Sequence, residues 1–142
     1  MNRKLAVGLV LALAISSASL VADSPHLIGQ VTVQPSGTTL TISASIAGLG
    51  GADSATFSLV GTVDLFSRCY NRGGNKPQAD NKQETIEVNS TATFPVKNGR
   101  TDVQFVITAA SSLACPGSQV VVIESFTRDL DIVGEGVTLH VP

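Results

Sequence analysis

The sequence predicts an all-β protein, an antiparallel sandwich of about seven strands with one disulfide. Two observations lead to this prediction. Apolar side chains alternate with Thr, Ser and other polar side chains along most of the chain, and no stretch after residue 22 keeps a helical period. In addition, the chain has two cysteines, Cys69 and Cys115. The segments between the alternating runs are short and rich in turn-forming residues.

Residues 1–22 have the three parts of a secretory signal peptide: a short basic start, an apolar run over residues 5–15 and a stretch of small residues. The run is shorter than the ~20 residues of a membrane-spanning helix, and no later segment is long and apolar enough to span a bilayer. We expect cleavage after Ala22 or after Ala18. The mature protein is therefore predicted to be exported (extracellular, periplasmic or at the cell surface) without a transmembrane segment.

Residues 23–142 are long enough for one domain with its own core. Without Arg3 and Lys4, seven basic side chains remain against eleven acidic ones, a formal charge of −4. Nucleic acids and anionic membranes require clustered Lys and Arg, and the sequence contains no such cluster. These two classes of partner are therefore not expected.

After the leader, the strand period appears in residues 27–33, 40–46, 57–65, 86–94, 103–107 and 137–141. Between the last two of these come an apolar run over residues 120–123 and a longer alternating segment through Phe126, Leu130 and Ile132, so about seven strands are expected. Cys69 continues the alternation of residues 57–65, so its sulfur is expected to point to the inside.

Turn signals separate these segments. Asn98-Gly99 is the strongest hairpin signal, because a type I′ turn needs positive φ at both central residues. Residues 134–136 can turn the last hairpin, and residues 35–37 separate the first two strands. Pro95 lacks an N–H and is predicted to lie on an edge strand or at a bulge. The pattern is typical of an immunoglobulin-like or related antiparallel β-sandwich, with a small barrel as the alternative.

Cys69 and Cys115 are predicted to form a disulfide, because an even cysteine count is typical of exported disulfide-bonded proteins. The bridge would close a loop of 46 residues, for which chain entropy gives roughly 4 kcal/mol of stabilisation. A zinc site or a catalytic thiol is the alternative, but two cysteines this far apart lack the close pairs of a zinc site.

The longest connection is predicted to be residues 71–81, directly after Cys69. Its candidate binding residues are Asn71, Arg72, Gly73, Gly74 and Asn75. In a functional interpretation, a loop anchored at Cys69 presents Arg72 to a ligand, and N–H groups around the glycines could bind an anion. In a structural interpretation, the same residues only turn the chain.

Four motifs together resemble a family of small exported bacterial proteins with no assigned activity. They are Ser24-Pro25-His26, Ala47-Gly48-Leu49-Gly50, Cys69-Tyr70-Asn71-Arg72-Gly73-Gly74-Asn75-Lys76-Pro77 and Cys115-Pro116-Gly117. The resemblance spans nearly the whole mature chain. It implies a β-sandwich, supports the pairing of the two cysteines, and adds some weight to the functional interpretation of the loop.

No catalytic, metal or cofactor site is expected. His26 and His140 are the only imidazoles, and they would lie at opposite ends of the domain if the first and last strands pair in parallel. Glu124, Asp129 and Asp131 follow one strand and do not converge on a pocket; a calcium site there would lack an oxygen-rich loop.

The predicted function is a secreted, non-enzymatic binding or surface module whose partner is an unidentified protein or surface ligand. Two alternatives remain at this point. The protein could be a secreted inhibitor of a hydrolase, with the predicted loop inserted into an enzyme cleft. It could also be a subunit that assembles into a layer or filament through edge strands.

Overall fold

A computed structural model describes residues 24–74 and 77–142, so the predicted leader lies outside the described residues. The described residues form seven strands and no helix. The strands are β1 (His26–Ser36), β2 (Thr39–Ala47), β3 (Ser54–Tyr70), β4 (Pro77–Pro95), β5 (Thr101–Thr108), β6 (Val120–Gly134) and β7 (Val137–Val141). The prediction of an all-β chain with about seven strands is confirmed. No helix in this part of the chain could cross a membrane.

The strands form two antiparallel sheets that pack face to face. One sheet has three strands in the order β1-β2-β5, and the other has four in the order β4-β3-β6-β7. The first and last strands lie in different sheets, so the parallel pairing considered from the sequence does not occur. The arrangement is a β-sandwich.

The core lies between the sheets and is built from the alternating apolar side chains. The largest fully buried ones are Phe57, Ile42, Ile46, Leu59, Leu65, Leu130 and Ile132. Phe94 of β4 links the sheets: its ring centroid lies 6.4 Å from that of Phe57 and 5.7 Å from that of Phe105, the latter in an edge-on geometry. Because side chains of a strand alternate between faces, the core side chains of β2, β3 and β5 are alternate residues of their strands.

The predicted hairpin turns are confirmed by the backbone. Asn98 and Gly99 have φ values of 52° and 71°, and Glu135 and Gly136 have φ values of 48° and 81°. Positive φ at two consecutive residues is the requirement of a type I′ turn. Pro95 is the last residue of β4, an edge strand, where its missing N–H removes no central ladder hydrogen bond.

The predicted connection over residues 71–81 is wrong. β4 begins at Pro77, which pairs with Tyr70, so the connection spans residues 71–76. The polar stretch that follows forms a strand because β3 offers backbone partners along its whole length. As an edge strand in water, it needs few apolar side chains. The longest connection between described strands is residues 109–119, between β5 and β6.

The four-stranded sheet is longer than the three-stranded one. It projects at the end that carries the β3–β4 turn, which we call the lower end. Residues 109–119 cover the inner face of this projection, where Ser67 and Cys69 are fully buried. The disulfide between Cys69 and Cys115, with a Cα–Cα distance of 5.6 Å, attaches this connection to β3. The predicted pairing and the inward direction of Cys69 are both confirmed.

Candidate binding surface at the lower end of the four-stranded sheet

The β3–β4 connection begins with a tight turn at the lower end. The backbone N–H of Gly74 donates to the carbonyl of Asn71 over 2.9 Å. Gly73 and Gly74 have φ values of 106° and 73°, which residues with a side chain rarely adopt. Asn75 lies outside the described residues, so four of the five predicted loop residues are placed.

Arg72 is the exposed cation of this turn. Within residues 24–74 and 77–142, its guanidinium forms no ion pair. A Cβ atom added at Gly73 or Gly74 would meet nothing within 4 Å, so there is open space at both glycines. The side chain of Arg72 is therefore accessible to a partner molecule.

Next to this turn, Glu124 connects β6 to β3. The β3–β6 register shifts between Phe66 and Ser67, which leaves Glu124 as the extra residue of a bulge. Its carboxylate lies 3.3 Å from Nε of Arg68 and accepts a hydrogen bond from the hydroxyl of Tyr70. That hydrogen bond, with a smaller contribution from burial, raises the pKa of Tyr70 above its ordinary value. Both side chains of β3 are thereby held in place.

The outer face of β3 continues this cluster with an aromatic ring. Phe66, Arg68 and Tyr70 are alternate residues, so they point to the side opposite the buried Ser67 and Cys69. The guanidinium carbon of Arg68 lies 5.2 Å from the centroid of the Phe66 ring, a cation–π geometry. This contact joins Phe66 and Arg68 on the outer face of β3.

Two exposed valines complete the surface. Val120 pairs with Tyr70 and Val122 pairs with Arg68, so both valines share the outer face with those side chains. Val120 is 44% exposed and Val122 is 37% exposed. We call the surface formed by Phe66, Arg68, Tyr70, Val120 and Val122 the lower outer face. It combines apolar, aromatic and cationic groups, and its residue Tyr70 comes two residues before Arg72 in the chain.

Glu84 fastens the covering connection from the inner side. Its carboxylate accepts hydrogen bonds from the Ser111 hydroxyl and the Ser112 N–H, both over 2.9 Å, and lies 3.2 Å from Nζ of Lys82. The Ser112 hydroxyl also donates to it and is the main cause that lowers the pKa of Glu84 to about 2. The contacts and the disulfide together hold residues 109–119 against the sheet.

The groups considered for catalysis do not come together. Nδ1 of His26 lies 2.9 Å from the carbonyl of Ser24, and Nδ1 of His140 lies 3.1 Å from a carboxylate oxygen of Asp131. Among the described residues, no three His, Cys, Asp or Glu side chains are grouped as metal ligands. Glu124 is engaged by β3, while Asp131 pairs with β7, so the acidic residues of β6 serve separate contacts.

A cavity of about 480 Å³ lies on the other sheet. It is lined by Ile28, Lys97 and Arg100, together with the pair formed by Ser45 and Asp102. The hydroxyl of Ser45 donates to Asp102 over 2.6 Å, and none of the described residues that line the cavity is a histidine.

Comparison of the chain with protein-family models, with curated proteins and with solved structures finds no significant match. The resemblance to exported bacterial proteins therefore stays a prediction.

Proposed function

We propose that this protein is an exported, non-enzymatic binding module that contacts a protein or surface ligand through the lower outer face and Arg72. The observation that carries the proposal is the exposure of Val120 and Val122 on the same face of the sheet as Tyr70, which comes two residues before the exposed Arg72. Contiguous exposed apolar groups rimmed by polar ones are typical of interaction surfaces. The disulfide is compatible with an extracellular location.

The composition of the surface defines the chemistry of the partner. Tyr and Arg are enriched at the centres of protein interfaces, since they combine a large contact area with hydrogen bonding. Val120 and Val122 favour an apolar counterpart, and Arg72 favours a carboxylate near it. We infer a folded protein or an acidic surface polymer with an apolar patch as the ligand.

The strand order supports an immunoglobulin-like assignment of the sandwich, because the neighbours β1-β2-β5 in one sheet and β3-β6-β7 in the other are the same as in a constant-type immunoglobulin domain. One strand differs: the constant-type sandwich places its fourth strand beside the fifth, whereas here β4 lies beside β3. We propose a variant in which the fourth strand has changed sheets.

The inhibitor alternative depends on a loop that enters an enzyme cleft. The connection over residues 71–76 is shorter than the predicted one, and its first half is closed by the hydrogen bond between Gly74 and Asn71. A short closed turn favours contact with an exposed surface over insertion into a cleft. We therefore propose the binding module in preference to the inhibitor.

The test compares ligand binding by the mature protein with ligand binding by two variants, Arg72→Ala and Val122→Ser. The matched control is Val106→Ser, since Val106 is an exposed valine on the three-stranded sheet. Each protein is immobilised and exposed to the secreted and envelope fractions of the producing organism, and the bound ligand is purified and titrated against all four proteins.

We expect Arg72→Ala and Val122→Ser each to lower the affinity for the purified ligand by about tenfold or more, as substitutions of central interface residues do. Val106→Ser should bind as the unaltered protein does. Circular dichroism verifies that each variant is folded. Equal affinity of all four proteins, or loss with Val106→Ser alone, would place the binding surface elsewhere.

A further inference from the structure

The outer face of the three-stranded sheet contains a trough along β2, its middle strand. Ser43 and Ser45 have short side chains that point away from the core, and they pair with the longer side chains of Gln104 and Asp102 on β5. Two adjoining cavities, of about 480 and 390 Å³, follow these residues and share Ser45 and Asp102 in their linings. Ligand sites commonly have volumes of about 300–1,000 Å³. We call this surface the polar trough.

The lining of the polar trough offers hydrogen-bonding groups of several kinds. Ser43 contributes a hydroxyl, and Gln30 and Gln104 contribute amides. The hydroxyl of Ser45 donates to one carboxylate oxygen of Asp102, which leaves the second oxygen without a partner among the described residues. This mixture of donors and acceptors matches the hydroxyl groups of a sugar, each of which both donates and accepts. The described lining residues include no aromatic ring, so hydrogen bonds and charge, without stacking, would hold such a ligand.

Two cations stand at one end of the polar trough. Lys97 and Arg100 line the larger cavity and are both exposed. Their backbones exchange two hydrogen bonds, of 2.8 and 3.0 Å, so their side chains lie on the same side of the β4–β5 hairpin. Within residues 24–74 and 77–142, neither side chain forms an ion pair. With Asp102 as the third charged group of the lining, this end has a net positive charge that favours an anionic group.

The turn that carries the two cations is fixed by its neighbours. The N–H of Leu49 donates to the carbonyl of Gly99 over 3.0 Å, which attaches the turn to the connection between β2 and β3. The hydroxyl of Thr101 donates to the carbonyl of Pro95 over 2.9 Å and joins the two strand ends. The backbone beneath both cations is therefore ordered before a ligand arrives, which lowers the entropic cost of binding.

We propose that the polar trough binds a segment of an acidic saccharide. Its carboxylate or sulfate groups pair with Lys97 and Arg100, and its hydroxyls bond to Ser43, Asp102 and Gln104. A simple anion would meet the same cations but would gain nothing from the hydroxyl and amide groups and would be repelled by Asp102. A neutral saccharide would leave both cations unpaired. The site lies on the sheet opposite the lower outer face, so it is independent of the function proposed above.

Isothermal titration calorimetry tests the proposal with two acidic probes, a galacturonic acid oligomer and a sulfated dextran oligomer. Two further oligomers each lack one feature: a maltose oligomer has hydroxyls without charge, and a glutamic acid oligomer has charge without hydroxyls. We expect at least one acidic saccharide to bind ~10-fold more tightly than either of these. Lys97→Gln and Arg100→Gln should each lower that affinity by about fivefold. The matched control is Lys82→Gln, which removes a positive charge from the four-stranded sheet and should leave the affinity unchanged.

Amide chemical shifts of the unaltered protein locate the site without any substitution. We expect the acidic saccharide to shift the resonances of residues 43–45 and 97–104 and to leave those of residues 120–124 in place. The proposal is overturned if neither acidic saccharide binds, if the shifts lie elsewhere, or if Lys82→Gln weakens binding as much as Lys97→Gln. Equally tight binding of the glutamic acid oligomer would identify an acidic protein segment as the ligand instead, and equally tight binding of the maltose oligomer would remove the role of the cations. The lower outer face is tested by separate variants and a separately purified ligand, so the two proposals fail independently.

Discussion

Replacing Gly61 with alanine tests how closely β3 and β6 approach each other at the centre of the four-stranded sheet. Gly61 has a φ of 134° and lies opposite Leu130. A Cβ atom built on it would lie 2.1 Å from the carbonyl oxygen of Asp129 and 3.0 Å from Cα of Leu130. The contacted atoms belong to the backbone, so no side chain can rotate away to make room.

The expected cost has two sources. Real Cβ atoms essentially never come within 3.0 Å of another atom, so the Asp129 carbonyl must move by about 1 Å. That movement displaces β6 where Leu130 and Ile132 are fully buried, and such overpacking costs about 1–3 kcal/mol. The unfavourable φ adds about 1–3 kcal/mol. The total of roughly 2–6 kcal/mol is a large part of the ~5–15 kcal/mol by which a typical domain is stable.

Urea denaturation followed by circular dichroism measures the free energy of unfolding, with two glycines as controls. Gly37 has a φ of 60° and open space around its Cβ position, whereas Gly51 has open space and a φ outside the left-handed region. We expect Gly51→Ala to change stability by less than ~0.5 kcal/mol and Gly37→Ala to cost about 1–2 kcal/mol. If Gly61→Ala costs no more than Gly37→Ala, the close approach of the two strands is refuted.

Three further predictions concern stability. Replacing Cys69 and Cys115 together with alanine should lower the free energy of unfolding by about 4 kcal/mol, as the 46-residue separation implies. A loss below ~1 kcal/mol in urea denaturation would mean that the remaining contacts hold the connection. The pKa of Glu84 is about 2 in the folded protein, against an ordinary value of 4.5. The ionised carboxylate therefore stabilises the folded state fully above pH 4.5, and this stabilisation is lost as the pH falls towards 2. The stability difference between the unaltered protein and Glu84→Gln should shrink over that range, and a constant difference would contradict the assignment. Phe57→Ala should cost about 3–5 kcal/mol, since the ring is fully buried; a thermal midpoint equal to that of the unaltered protein would exclude a central role.

Part of the candidate site could be predicted from the sequence. The parity of Cys69 places Arg68 and Tyr70 on the opposite face, and the position of Arg72 next to a disulfide cysteine indicates an anchored turn. The exposure of the valines at the start of β6 could not be predicted. An apolar run is typical of a strand buried on both faces, whereas here Val120 and Val122 point away from the other sheet and no described element covers that face.

The contacts of the acidic side chains also depend on tertiary structure. Glu124 meets Arg68 and Tyr70 because a bulge in β6 turns it towards β3, and no local sequence pattern announces that bulge. Glu84 meets Ser111 and Ser112 because the covering connection folds back over β4. Each pair joins residues far apart in the chain, so only the assembled sheets bring them together.

By itself, the sequence determined the approximate number of strands, the faces that most of their apolar side chains occupy, the two tight hairpin turns and the disulfide, because these follow from local alternation, local backbone preference and the pairing of two cysteines. Tertiary structure alone decided which strands share a sheet, that the polar residues after Pro77 pair with β3, and that no described strand covers the outer edge of β6 before Leu130. The physical reason is that backbone hydrogen bonding between strands depends on which neighbour is present and how far it extends, and a strand's own side chains do not encode its neighbour's length.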